Sequence, residues 1–219
     1  MCFVTPYIRH FVLENTEVVS PALTPELRLR LATANTPLMT MPFDSLHANT
    51  YGDPFWAFAW SGGQAVARYL LDRGDEVAGK RVFDLACGSG IIGLAAAMQG
   101  ATEVVANDID PFCALACELN GNLNDVFMGF DLQNRVGEPL EQTDVVVAGD
   151  ICYEEPLASL VLKWLKDLAR EGKRVFVGDP GRASFDRTGL ELLASYTVSH
   201  TNEWDDEDVR RAKVFRVLP

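Results

Sequence analysis

Arg81–Asp110 reads R-V-F-D-L-A-C-G-S-G-I-I-G-L-A-A-A-M-Q-G-A-T-E-V-V-A-N-D-I-D, and this stretch decides the fold. Arg81–Leu85 is a short apolar strand carrying Asp84 near its end. A turn of small residues follows, Ala86-Cys87-Gly88-Ser89-Gly90, and then an Ala- and Leu-rich helix, Ile91–Gln99. Glu103–Ala106 is a second strand, and Asp108 stands just beyond it, 20 residues after Gly88. This is the pattern of a nucleoside site in a doubly wound sheet. Glycines let the backbone approach a ligand closely. The ligand lies over the carboxyl ends of the strands, and an acid after the second strand accepts from ribose hydroxyls. The turn lacks the G-x-G-x-x-G spacing, because Ala86 takes the leading glycine position ahead of Gly88, Gly90 and Gly93. A dinucleotide wants its pyrophosphate at the helix N-terminus, whereas Asp84 beside the turn suits a ligand carrying an ammonium. A dehydrogenase is therefore disfavoured. The bland alternative is a structural strand–helix turn with two surface aspartates.

Outward from this unit the pattern remains regular. Pro111–Asn120 reads as a helix with Asp110 as N-cap and Pro111 at its first position. Val126–Phe130 is the expected third strand. Asp144–Ala148 and Arg174–Gly178 are uninterrupted apolar strands, as in a parallel sheet covered on both faces. Between them Pro156–Arg170 is an amphipathic helix. Leu190–Ala194 reads as a short helix, and Tyr196–Trp204 with Lys213–Leu218 as a closing antiparallel pair. The acidic stretch between that pair is expected to be a solvated loop. Alternating strands and helices argue for an α/β fold with right-handed crossovers.

Toward the N-terminus the signals weaken. Tyr7–Glu14 has a faint helical period. Leu23–Leu31 reads as a short helix, with Thr24 as N-cap and Pro25 at its first position, stopped by Asn35, Pro37 and Pro42. Phe55, Trp56, Phe58 and Trp60 form an aromatic cluster ending in Ser61-Gly62-Gly63, and Gln64–Asp72 is a helix.

The chain has 219 residues and a formal net charge of −12. Such an anion repels nucleic-acid phosphate unless it carries a local basic stripe, and none is present. The charge suits a partner that presents a cation, such as a lysine side chain, or serves solubility alone. The cysteines Cys2, Cys87, Cys113, Cys117 and Cys152 form no paired C-x-x-C motif and have no matching His pair, so no metal site is expected. Their odd number points to a reducing compartment. No apolar window approaches the ~18 residues of a membrane span, and the start does not look like a leader. A cytoplasmic monomer is the expectation, with the mitochondrial matrix left open for a eukaryotic source.

The turn D-L-A-C-G-S-G (84–90) resembles the first motif of class I S-adenosylmethionine-dependent methyltransferases. The likeness extends over nearly the whole chain. It is closer to the lysine methyltransferases that act on the β subunit of electron transfer flavoprotein. The segments that carry it are P-F-W-A-F-A-W-S-G-G-Q-A-V-A-R-Y-L-L-D (54–72), A-N-D-I-D-P (106–111), G-D-I-C-Y-E-E-P-L-A (149–158) and G-D-P-G-R (178–182). L-T-P-E-L-R-L-R-L-A-T (23–33) also resembles that group. The resemblance implies a Rossmann-like, seven-stranded, mostly parallel sheet with an antiparallel edge pair, helices on both faces and an N-terminal helical extension. Residues 1–60 would form the extension and a lid over cofactor and substrate, and residues 61–219 the methyltransferase domain.

It also implies roles. Asp84, Ala86, Gly88 and Gly90 would line the methionine and ribose of S-adenosylmethionine, which leaves as S-adenosylhomocysteine. Asp108 would hold the ribose hydroxyls, Ile109 pack on the adenine and Asp131 accept from its amine. Trp60 would close the pocket from the N-terminal side, although it also suits a core position, and Gly149 would be a further cofactor contact. Asp150, Tyr153 and Glu154 are the catalytic candidates. A carboxylate such as Asp150 orients the lysine amine, and Tyr153 offers an aromatic wall with some cation–π attraction. Arg182 either pairs with a carboxylate near the pocket, meets a substrate backbone group, or belongs to a plain turn. The implied partner is the β subunit of electron transfer flavoprotein. The alternatives are a ribosomal protein or a small heterocyclic amine such as nicotinamide as acceptor, and a binding module that has lost transfer. The position of Gly149–Tyr153 lacks the adjacent prolines used by base-flipping amino-methyltransferases, so nucleic acid is not an expected substrate.

Overall fold

The computed structural model describes residues 6–41, 53–198 and 211–219. The chain opens with α1 (Pro6–Glu14), an antiparallel pair β1 (Glu17–Val19) and β2 (Leu29–Leu31), and the single turn α2 (Pro37–Thr40). A 3-10 turn, Phe55–Ala57, leads into α3 (Ser61–Asp72). Strand and helix then alternate: β3 (Arg81–Leu85), α4 (Ile91–Met98), β4 (Glu103–Asn107), α5 (Pro111–Leu123) and β5 (Gly129–Asp131). β6 (Val145–Ala148), α6 (Leu157–Arg170), β7 (Arg174–Asp179), β8 (Leu190–Tyr196) and β9 (Ala212–Val217) complete the chain.

Seven of these strands form one sheet in the order β5-β4-β3-β6-β7-β9-β8. The first five run parallel, and β9 lies antiparallel to both β7 and β8. This is the Rossmann-like sheet with an antiparallel edge that the sequence implied. The chain winds one way from β3 to β5 and the other way from β6 to β7, so the order reverses between β3 and β6. A doubly wound sheet opens its ligand crevice at the carboxyl ends of the strands at such a point.

The pleat sorts the strand residues between two cores. Val82, Val145, Val147, Phe176 and Val214 face one side, where Ala65, Val66 and Leu70 of α3 and Leu94 of α4 cover them. Phe83, Leu85, Val146, Ala148, Val175 and Val177 face the other, against α6. In α6 the residues Ala158, Val161, Leu162, Leu165 and Leu168 recur every three or four positions and are buried, while Lys163 and Arg170 point outward. Each leucine so buried contributes roughly 1.5–3 kcal/mol. A third cluster joins α5 to the N-terminal segment through Val12, Leu38, Trp56, Phe58, Phe112 and Leu115.

Two predicted helices are strands. Leu23–Leu31 does not form a helix: it turns at its start and ends in β2, with Leu27, Leu29 and Leu31 buried and Arg28 exposed. The L-R-L-R-L alternation has the two-residue period of a half-buried strand, and it outweighs the cap signal of Thr24-Pro25. Leu190–Ala194 likewise belongs to β8, which pairs with β9 through an irregularity between Leu192 and Ala194. That bulge breaks the strict alternation that marks a strand. Tyr196 therefore ends a strand where it was expected to begin one. Residues 199–210, which hold most of the expected acidic loop and Trp204, lie outside the described residues, as do Cys2 and Pro42. The third strand sits later than expected, at Gly129–Asp131, because Val126 still closes the end of α5 by donating to the Gly121 carbonyl.

Candidate active site

The crevice at the carboxyl ends of β3 and β4 is built from backbone. Within Ala86–Gly90 three residues adopt positive φ, Ala86 at 49°, Gly88 at 52° and Gly90 at 79°. The chain thus turns sharply from β3 into α4. At Gly90 a side chain is barred twice, by the φ value and because a Cβ would lie 2.7 Å from the Cys117 sulfur. Asp108, one residue beyond β4, locks the turn from the side. Its Oδ2 accepts from the Gly88 N–H at 3.1 Å and its Oδ1 from the Asp110 N–H at 3.1 Å. Asp110 caps α5 as expected, accepting from the Phe112 N–H at 2.8 Å.

Asp84 has the parity of Val82 and so points toward α4. It is fully buried, and its Oδ2 accepts from the Gly93 N–H at 2.8 Å while its Oδ1 has no hydrogen-bond partner. Burial pushes the carboxyl up to about 7, partly offset by the Gly93 N–H and reinforced by the Asp108 charge. Burial and Asp108 also push Asp110 up to about 6, against the Phe112 N–H. A buried carboxylate oxygen without a partner is costly, and a cationic ligand group is the natural complement. S-adenosylmethionine fits this cradle: its ammonium suits Asp84, its ribose hydroxyls the remaining lone pairs of Asp108, and its backbone-hugging contour the glycine turn. Among the described residues no cluster of His, Cys, Asp or Glu is placed to hold a metal. Cys87 and Cys117 meet with their sulfurs 3.6 Å apart, and burial pushes the Cys87 thiol well up, which leaves it a small apolar filler.

The other cofactor candidates are placed less uniformly. Trp60 immediately precedes α3 and donates from Nε1 to the Phe55 carbonyl at 3.0 Å, with its ring edge-on to Phe55 and Phe58. Gly149 is buried against Gly63, where a Cβ would come within 3.1 Å of its backbone. Ile109 is 71% exposed at the rim. The Asp131 carboxylate is held by Arg135 Nε at 2.6 Å and by the Gln133 N–H at 3.1 Å, so an adenine amine would have to share it.

The catalytic candidates follow β6. Asp150 is nearly enclosed. Its Oδ2 accepts from the Gly63 N–H at 2.8 Å, at the N-terminus of α3, and its Oδ1 from Arg182 Nη1 at 2.7 Å. The sequence left Arg182 undecided, and the structure pairs it with this carboxylate. The approach of α3 depends on glycines on both sides. A Cβ on Gly62 would stand 2.6 Å from both Asp150 Oδ2 and the Gly178 carbonyl, and one on Gly178 would stand 2.1 Å from the Gly62 carbonyl. Tyr153 is half-exposed, with its ring 5.9 Å from that of Phe55. Burial and the charges of Glu154, Asp53 and Asp108 raise its phenol above the usual range, which keeps it protonated. Glu154 is exposed, and its carbonyl accepts from the Ala158 N–H at the start of α6.

Phe55 was not read as a site residue, yet it joins the two halves. Its carbonyl takes the Trp60 indole N–H and lies 3.5 Å from where a Gly88 Cβ would be, and its ring meets Tyr153. The only hint in the sequence was its place in P-F-W-A-F-A-W (54–60), where nothing separates a ring over the pocket from a core ring such as Trp56, which is 1% exposed.

Known proteins agree with this architecture. Residues 67–179 match the family model of ribosomal protein L11 methyltransferase (PrmA). An electron transfer flavoprotein beta subunit lysine methyltransferase from Xenopus laevis is 40% identical over 217 residues, covering 96% of this chain and 87% of that protein. Its counterpart in Homo sapiens is 43% identical over 224 residues, covering 99% and 84%. The crystal structure of a ribosomal protein L11 methylase from Lactobacillus delbrueckii subsp. bulgaricus superimposes with a TM-score of 0.50 at 19% identity, covering 73% of this chain and 81% of that one, and shares the fold. With its sheet order, its glycine turn locked by Asp108 and this near-full-length similarity, the chain belongs to the PrmA-like methyltransferases and, among them, to the electron transfer flavoprotein β-subunit lysine methyltransferase family.

Proposed function

We propose that this protein transfers a methyl group from S-adenosylmethionine to a lysine side chain on the β subunit of electron transfer flavoprotein. One observation carries the reading. The crevice where the sheet order reverses brings a cradle for a cationic nucleoside, Asp84 and Asp108, beside an enclosed carboxylate and an exposed phenol, Asp150 and Tyr153.

When bound, S-adenosylmethionine supplies an already activated methyl group. The protein's task is then mainly to position the amine. Asp150 has lone pairs left after its bonds to Gly63 and Arg182, and these accept from the lysine amine and fix its direction. The amine loses its proton to water before it can attack, since an ammonium has no lone pair. Tyr153, kept as the phenol, walls the approach, and its oxygen accepts a second N–H. Glu154 lies further out and draws a cationic substrate toward the opening. Phe55 and Trp60 act as the lid, an assignment supported by the Phe55 contacts to both Gly88 and Tyr153.

The L11 methyltransferase model matches residues 67–179, which hold Asp84, Asp108, Asp150 and Tyr153 but neither the N-terminal segment with Phe55 and Trp60 nor Arg182. It therefore supports the shared chemistry more than a ribosomal substrate. The reading includes a cytoplasmic monomer that binds neither nucleic acid nor membrane. The net charge of −12 speaks against nucleic acid, and the odd cysteine number for a reducing compartment.

The test is transfer of a labelled methyl group to purified electron transfer flavoprotein and, separately, to cell extract. Label on a lysine of the β subunit, lost with Asp150→Ala, is the expected result. Label confined to another protein or to a small molecule overturns the substrate and keeps the chemistry.

A further inference from the structure

We propose that Arg182 is a positioning residue for lysine methylation, its guanidinium setting the rotamer of Asp150 so that the carboxylate faces the incoming amine. The inference rests on the methyl-transfer reading above and adds to it a residue that makes the geometry.

The turn after β7 is built to hold this arginine in place. Asp179, at the end of β7 and 1% exposed, accepts from the backbone N–H of Gly181 and from that of Arg182, the latter at 2.8 Å. The Arg182 side chain then runs back over the sheet edge. Its Nη1 lies 2.7 Å from Asp150 Oδ1 and 3.5 Å from Asp179 Oδ2. One guanidinium therefore stands between two carboxylates, one just beyond the end of β6 and one at the end of β7. The side chains of Arg182 and Asp150 are only 14% and 10% exposed, so water screens this contact weakly.

Asp150 has two fixed points and no slack. The Gly63 N–H takes one oxygen at the positive end of α3, and Arg182 takes the other. Remove the guanidinium, and one oxygen loses its partner while Asp179 repels it from the next strand. The carboxylate then turns about the single Gly63 bond. Arginine suits this role because its planar guanidinium brings one nitrogen, Nη1, to both carboxylates in a fixed direction, whereas a lysine ammonium is a compact point charge on a flexible stem. Displacing a reacting group by ~1 Å costs on the order of 100-fold in rate. The cofactor half does not depend on this bridge, since Asp84 and Asp108 are held by the backbone of Gly93, Gly88 and Asp110.

The experiment compares wild type, Arg182→Ala and Arg182→Lys in methyl transfer to electron transfer flavoprotein. Calorimetry with S-adenosylhomocysteine and a crystal structure of Arg182→Ala bound to it accompany the kinetics. The expected result is a kcat lowered by roughly 10–100-fold in Arg182→Ala, with cofactor affinity unchanged and a smaller loss in Arg182→Lys. Added guanidinium restores part of the Arg182→Ala rate and none of the Asp150→Ala rate. In the crystal, the Asp150 carboxylate leaves its wild-type rotamer. An unchanged kcat, or an Asp150 that keeps its rotamer without the guanidinium, overturns the proposal. So does a loss of cofactor affinity and melting temperature that guanidinium does not rescue, which would make Arg182 a pin for the turn. Should Arg182→Ala fail to fold, Arg182→Lys and its crystal structure decide the same question. Should wild type leave the flavoprotein unlabelled, the substrate reading falls alone, and the Asp150 rotamer still tests Arg182.

Discussion

At the carboxyl ends of β3 and β4 the carboxylates of Asp84, Asp108 and Asp110 are held by backbone N–H groups, and Asp84 keeps a buried oxygen unpaired. At the ends of β6 and β7, Asp150 and Asp179 flank a guanidinium that offsets part of their charge. The first half of the crevice is an acidic field that a cation must complete. The second carries its own counter-ion, Arg182, although Asp179 Oδ2 accepts no hydrogen bond, and it offers shape and hydrogen-bond direction. The difference teaches how one sheet edge serves two partners. On the proposed reading, the half that takes a cationic cofactor stores its attraction as unmet charge, while the half that orients the acceptor holds its carboxylates against a fixed guanidinium.

This contrast breaks most sharply at Asp150. Asp150→Ala is expected to slow transfer by ~100-fold or more while leaving cofactor affinity nearly intact, read from kinetics and calorimetry on the same preparation. An equal loss in both would mean that the halves are not separate. Asp108→Ala is the mirror test. It should weaken S-adenosylmethionine binding by ~1–3 kcal/mol through lost hydrogen bonds to a charged group, and unchanged affinity in calorimetry would remove Asp108 from the cofactor site.

A pH titration sharpens the comparison further. Asp84 is raised to about 7, so it is neutral below that pH and ionised above it. A cofactor ammonium needs the ionised form, so affinity should fall by up to about tenfold per pH unit as pH drops below the Asp84 value. The sign for stability is opposite. A raised carboxyl stabilises the unliganded fold below its unfolded value of ~4, and that contribution is lost as pH rises through about 7. Asp84→Asn should flatten both profiles, and a pH-independent affinity in wild type would take Asp84 out of ammonium binding. The smallest effect belongs to Ala86, which holds a φ of 49° where glycine has no steric penalty. Ala86→Gly relieves left-handed strain of ~1–2 kcal/mol and costs ~0.4–1 kcal/mol of chain entropy. Denaturant unfolding should therefore show a gain of about 0.5 kcal/mol.

The local structure around Asp84 and Asp108 was the legible part. Its apolar strands, small-residue turn and N-cap at Asp110 are local signals, and Arg81–Leu85 forms a strand over the predicted residues. The orienting half depends on partners remote in sequence. Asp150 meets Gly63 across 87 residues and Arg182 across 32, and no spacing rule announces either. The misread segments fail for a related reason. Leu27, Leu29 and Leu31 join the core beneath α3 and α4, so tertiary burial outweighs a local cap at Thr24. β8 is an edge strand with Glu191 and Leu192 exposed and a bulge, so its period is blurred.

The joint between Gly62 and Gly178 sets a rule for anyone who would redirect this enzyme. The helix start, the β7 end and the Asp150 carboxylate meet there with no space for even a methyl group. A mutagenesis library aimed at new acceptors should leave positions 62, 63 and 178 fixed and spend its diversity on the rim, at Phe55, Tyr153 and Glu154. Variation at the joint would spoil the orienting carboxylate in nearly every clone, whereas variation at the rim changes who can reach it.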